Sequence, residues 1–131
     1  MKEFEVIFSD TSSGKEISAK VMTAEDDTDG KISIKTLING NEYSSSGYAY
    51  LQTYQEFRDK LLAAGFGIKC CGSLVNAVQP EMMGDTDKII LLEIGKKASM
   101  KDTAHIWDHA DIDEFPDTKQ QNDFFVKWAS R

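Results

Sequence analysis

Proline and cysteine are scarce in this chain, two of each among 131 residues. So little proline leaves no stiff, extended linker. The cysteines, Cys70 and Cys71, are neighbours. A bridge between them would close a strained ring, so both read as free thiols, which points to a reducing, cytosolic compartment. No stretch approaches the ~18 apolar residues of a membrane span. The opening Met1-Lys2-Glu3-Phe4-Glu5 is too acidic, and its apolar run too short, for a secretory leader.

Positive charge is also short: 15 basic against 22 acidic residues, a formal net charge of -7 and a pI near 4.8. A polyanionic nucleic acid would be repelled unless the cations were segregated. The densest basic group, Lys96, Lys97 and Lys101, is followed at once by Asp102. The expectation is no nucleic-acid and no membrane partner, and instead fast encounter with a basic protein.

Catalytic signatures are missing as well. Gly65-Phe66-Gly67 and Gly72 complete neither GxGxxG nor the Walker pattern, so no nucleotide cofactor is expected. No serine occupies a GxSxG elbow, and nothing pairs two carboxylates as acid and base. The reading is of a protein that is not an enzyme.

A packed core is nevertheless affordable: 40% of the residues are hydrophobic and 10% aromatic. A chain of this length buries roughly two thirds of its unfolded surface without a metal or disulfide. Phe4, Val6 and Phe8 alternate with Glu3, Glu5 and Ile7. Ile17, Ala19 and Val21 repeat that period with Ser18 and Lys20 facing away, and Ile32, Ile34, Thr36 and Ile38 do so again. That is the period of half-buried strands. The polar turns Thr11–Gly14, Glu25–Gly30 and Asn39-Gly40 join them as an antiparallel meander. Ser44-Ser45-Ser46-Gly47 offers capping hydroxyls to a helix whose apolar face is Tyr50, Tyr54, Phe57, Leu61 and Ala64, with Gly65 as terminator. A short strand is expected over Phe66–Cys71 and a covered one over Lys88–Ile94. Ser99–Asp102 resembles a capping box opening a helix through about Asp108. Asp117 caps a last helix bearing Phe124, Phe125 and Trp128. The predicted architecture is a single α+β domain spanning residues 1–131: a mostly antiparallel sheet of about five strands, with two main helices packed on it.

Four groups bear on chemistry. Glu25, Asp27, Asp29 and Gly30 fall at calcium-loop positions, but the twelfth position holds Thr36 rather than glutamate, which favours a solvated turn. His105 and His109 stand at i and i+4, so a helix there would align them for a metal with an adjacent aspartate. A metal-dependent enzyme is therefore the rival reading. The blander one is a helix end favouring histidine, with no metal. Cys70 or Cys71 could supply a thiolate with a histidine base, although no local signature joins them and an inert pair is expected. Last, Asp108, Asp111, Asp113, Glu114 and Asp117 are interleaved with Trp107, Ile112 and Phe115. Such runs are usually solvated faces, but acids mixed with exposed aromatics also suit a hot spot for a basic partner. Trp107, Asp108, Asp111, Asp113 and Glu114 are the candidate partner-binding residues.

Several local features are shared with one family. They are Leu61-Leu62-Ala63-Ala64-Gly65, Ile68-Lys69-Cys70-Cys71-Gly72, Asn76 with Pro80 and Met82 or Met83, and Leu92 with Gly95-Lys96-Lys97-Ala98. Ile106-Trp107-Asp108 and Phe124-Phe125-Val126-Lys127-Trp128 follow. Across residues 65–131 the chain thus resembles small bacterial proteins found beside secreted polymorphic toxins, in rearrangement-hotspot (Rhs) and contact-dependent inhibition loci. It departs from that pattern at Glu81 or Met82, where the family has glycine, and at Gly84-Asp85-Thr86-Asp87, where the family is richer in glycine. The resemblance implies an immunity protein that neutralises a cognate toxin domain by stoichiometric blocking, without chemistry of its own. An adaptor or structural domain without a toxin partner is the remaining alternative.

Overall fold

The computed structural model describes residues 1–130. Alternation does what it promises at the N-terminus. Strands β1 (Lys2–Asp10), β2 (Glu16–Glu25) and β3 (Ile32–Ile38) pair antiparallel, and their inward residues Val6, Phe8, Val21, Ile32, Ile34 and Ile38 are buried. The first two turns use one device. The Asp10 carboxylate accepts from Ser12 N at 2.9 Å, and Asp26 accepts from Thr28 N at 2.7 Å. Gly14 and Gly30, four residues on, take φ near +75°. The Ser12 hydroxyl, which also donates to Asp10 at 2.7 Å, and then the backbone bonds hold that carboxyl below the usual range; Asp26 is lowered too, there by the backbone bonds first. The would-be calcium loop is a hydrogen-bonded turn.

Asn39 and Gly40 also have positive φ, the mark of a tight hairpin, and they lead into β4 (Asn41–Gly47). The three serines expected to cap the helix lie in this strand, paired to Lys35, Ile34 and Ser33 of β3. Helix α1 (Tyr50–Ala63) has Ala49 as N-cap with no side-chain bond; Gly84 O accepts from Tyr50 N and Gln79 Oε1 from Leu51 N instead. Gly65, at φ +93°, follows its last turn as anticipated. Strand β5 (Phe66–Ile68) returns beside β1, completing a curled five-stranded antiparallel sheet of order β4-β3-β2-β1-β5. This α+β arrangement agrees with the class read from the sequence.

Strands β6 (Ala77–Val78), β7 (Lys88–Leu91) and β8 (Thr103–His105) form a second, three-stranded sheet. The apolar run of β7 is covered on both sides: Ile89 belongs to the main core, and Ile90 to a smaller cluster with Met83 and Leu92. Ser99 does cap, accepting from Lys101 N, but it opens only a 3-10 turn over Met100–Asp102 before β8 begins. The helix expected through Asp108 is absent, because pairing to β7 carries Ile106 and Trp107 into the core. Helix α2 (Thr118–Ala129) opens with Asp117 as the expected cap, in a capping box with Gln120. Its Phe124 and Trp128 pack on the smaller cluster, so α2 lies beside α1 and the small sheet. No described helix is long and apolar enough to cross a membrane.

Candidate functional site

The acidic segment between β8 and α2 has almost no regular structure, yet it is tied down along its length. Gly72 N donates to Ile106 O at 3.0 Å, Cys71 N to Asp108 O at 2.8 Å, and Ala110 N to Lys69 O at 3.2 Å. An isolated bridge joins Cys70 to His109. The segment therefore continues the edge of the sheet beyond β5. At its far end Phe115 occupies the space over Gly67, and Asp117 then starts α2.

Between this segment and the Ser73–Val75 stretch lies an open groove of about 800 Å³. Leu74, Val75, Ile112 and Phe115 supply its apolar lining, and Asp111, Asp113 and Glu114 its acidic rim. All three acids are exposed. No lysine or arginine lines the groove. Lys69 approaches Asp111 from behind, at 3.4 Å, but bonds more closely to Glu16 at 2.6 Å. The Glu16 contact is the main cause of its raised pKa. Asp111 is thus partly compensated, while Asp113 and Glu114 carry the uncompensated charge. An apolar floor within a charged rim, on backbone that is already ordered, is the form of a protein-docking surface.

The structure divides the five candidates. Asp111, Asp113 and Glu114 come together in the groove. Asp108 is exposed but does not line it; its Oδ2 accepts from His105 N at 3.4 Å. Trp107 is only 6% exposed, so the expectation that it stands at the surface is corrected. Its ring meets Phe4, Tyr54 and Phe57, and its Nε1 donates to Tyr50 Oη at 2.9 Å. Sequence reasoning overlooked Leu74 and Val75, which carry no periodic signal, and Gly67, whose missing side chain makes room for Phe115.

The chemical rivals find little geometry. His105 ends a strand and His109 lies in the bridge to Cys70, so the helical face that would have aligned them does not exist. His105 Nδ1 lies 3.0 Å from Asp87 Oδ1. Among the described residues, no group of three or more His, Cys, Asp or Glu side chains is placed to hold a metal. Cys70 is fully buried beside Tyr54 Oη, which also meets Ser73 Oγ, and burial pushes its thiol up to about 11. The half-buried Cys71 is raised too, by burial and then by Asp108. Neither is poised as a thiolate.

No protein-family model matches the chain, and no curated protein matches it.

Proposed function

We propose that this protein is an immunity-type inhibitor that neutralises a toxin domain by stoichiometric blocking. One observation carries the reading: the braced groove with an apolar floor and an Asp111, Asp113, Glu114 rim that no cation lines. A basic toxin surface would be drawn to it, both in encounter rate and in final fit. A protruding apolar side chain of the toxin would enter between Val75, Ile112 and Phe115. Such an interface buries on the order of 1,600 Å² in total. A formal charge of -7 repels nucleic acid, so an inhibitor of this kind acts on the toxin and not on its substrate.

The test is growth rescue. The C-terminal domain of a large secreted protein encoded beside this gene is induced in a host, with and without this chain. Rescue is expected, together with a purified one-to-one complex. The triple change Asp111→Lys, Asp113→Lys, Glu114→Lys should weaken that complex far more than it lowers thermal stability. Full binding by the triple variant would remove the groove from the reading. No rescue of a toxin shown to be active would reject that pairing.

A further inference from the structure

A second concavity shares no lining residue with the acidic groove. It lies between the start of α1 and the connection from β6 to β7, and encloses about 700 Å³. Ala49, Gln52, Gln79 and Glu81 also line an adjoining hollow of about 390 Å³ that reaches Phe125 on α2. The two form one continuous trough.

The loop along its edge is firmly braced. The Gln79 amide donates to Thr86 O and Lys88 O, both at 2.8 Å, while its oxygen accepts from Leu51 N at 2.9 Å. Gly84 O accepts from Tyr50 N at 2.7 Å. Met83 is buried as an anchor, and on the same 3-10 turn Met82 projects outward at 85% exposure. Tyr48 lines the same hollow at 65% exposure, and Phe125 lines the adjoining one at 44%. Exposed tyrosine, methionine and phenylalanine on braced backbone are what interfaces concentrate.

The charge of the trough says what it would take. Glu56, Glu81 and Asp85 line it, and no lysine or arginine does. Two copies of the chain joined here about a two-fold axis would set acid against acid. Nucleic acid and an anionic lipid surface are repelled for the same reason. A cationic polypeptide is attracted.

We propose that this trough is a second docking site, for a basic polypeptide segment bearing an apolar anchor. The anchor sits against Tyr48 and Met82, and its cationic neighbours lie on Glu56, Glu81 and Asp85. The site is independent of the inhibitor reading, which uses the Asp111–Phe115 groove.

The test titrates the isotope-labelled full chain with a synthetic peptide that alternates lysine and leucine around a central phenylalanine. One control peptide has glutamate for every lysine; another has serine for every leucine and phenylalanine. Amide shifts are expected at Tyr48, Gln52, Glu81 and Met82, and both controls should bind at least about tenfold more weakly. The double variant Tyr48→Ala, Met82→Ala should lose about tenfold in affinity, whereas Asp113→Lys, Glu114→Lys should leave binding unchanged. Both replaced side chains of the first variant are mostly exposed, and its own amide spectrum verifies that it is folded. Shifts confined to the Asp111–Phe115 groove, or scattered over every acid, would overturn the proposal. So would equal binding by the serine peptide or by the Tyr48, Met82 variant.

Discussion

The ring of Phe115 fills the space that a side chain would need at Gly67: a Cβ there would lie 2.3 Å from the ring's Cγ. Residue 67 is in an edge strand and Phe115 at the end of the acidic segment, so this contact fastens the groove to the sheet. Gly67→Ala should expel the ring. The expected cost is about 1–3 kcal/mol, the usual range for overpacking. A toxin partner bound at the groove should also bind more weakly, because the segment must be ordered again on binding. Thermal denaturation and titration calorimetry read the two effects separately. Unchanged stability would mean that Phe115 relocates without loss.

A second fastening is polar and lies between the helices. Arg58 is fully buried; its Nη2 donates to Gln121 Oε1 at 2.7 Å and to Thr118 Oγ1 at 3.2 Å, and its Nε meets Asp59 at 2.8 Å. Gln121 in turn donates to Gly72 O and Leu74 O. The remaining guanidinium nitrogen, Nη1, is buried without a hydrogen-bond partner. Gln121→Ala leaves several buried groups unpaired at about 1–3 kcal/mol each, so a loss of about 3 kcal/mol is expected. Arg58→Met removes the orphaned nitrogen along with the bonds and should cost less than Gln121→Ala. Combined, the two should cost less than their sum, because they share one network. Denaturant unfolding of the four proteins measures this, and strict additivity would show that the network does not act as a unit.

Where local chemistry is self-sufficient, the fold could be read from residues alone. Asp10 with Gly14 and Asp26 with Gly30 mark their turns by a side-chain acceptor and a glycine at positive φ, and Asn39 with Gly40 by positive φ at both residues. Asp117 and Gln120 cap each other without help from elsewhere. The readings that changed depend on distant partners. Ser44–Ser46 would cap a helix in isolation, but β3 offers a ladder and draws them into a strand. Ser99 caps equally well a helix or a single 3-10 turn, and only the pairing of β8 with β7 decides between them. Half of the acidic groove was visible as a charge run. Of its floor, Ile112 and Phe115 belong to that run, but Leu74 and Val75 were not visible, since they come from a loop remote in sequence.

Trp107 shows how close the two environments are in sequence. Asp108 follows it and is exposed, yet Trp107 sits 5.2 Å from the Tyr54 ring, centroid to centroid, and 5.8 Å from that of Phe4. Trp107→Ala should cost about 3–5 kcal/mol by opening a cavity in this cluster. Trp107→Phe should cost less, roughly 1–3 kcal/mol, mainly through the Tyr50 hydroxyl left without its donor. Neither change should lower partner affinity per folded molecule, whereas Asp113→Lys should do so at unchanged stability. A toxin-binding defect in folded Trp107→Phe would return this residue to the interface.

The thiols give a pH dependence of definite sign. In the folded protein burial holds the Cys70 thiol at about 11, against an ordinary 9.0, and Tyr54 beside it is also raised by burial. The unfolded chain therefore releases these protons first as pH rises. The contribution to stability is complete below pH 9.0 and is lost between there and about 11, the reach of the Cys70 shift. For Cys70 the loss is roughly 3 kcal/mol. Cys70→Ser, which keeps a hydroxyl near Tyr54 and Ser73, should flatten the part of the decline that Cys70 supplies, leaving the Tyr54 part. Alkylation reports on the same burial: in the native protein only Cys71 should react, slowly, and both thiols should react once denaturant is added. Native labelling of Cys70 as fast as that of Cys71 would show that the pocket around Tyr54 opens readily, and the alkaline decline should then be absent.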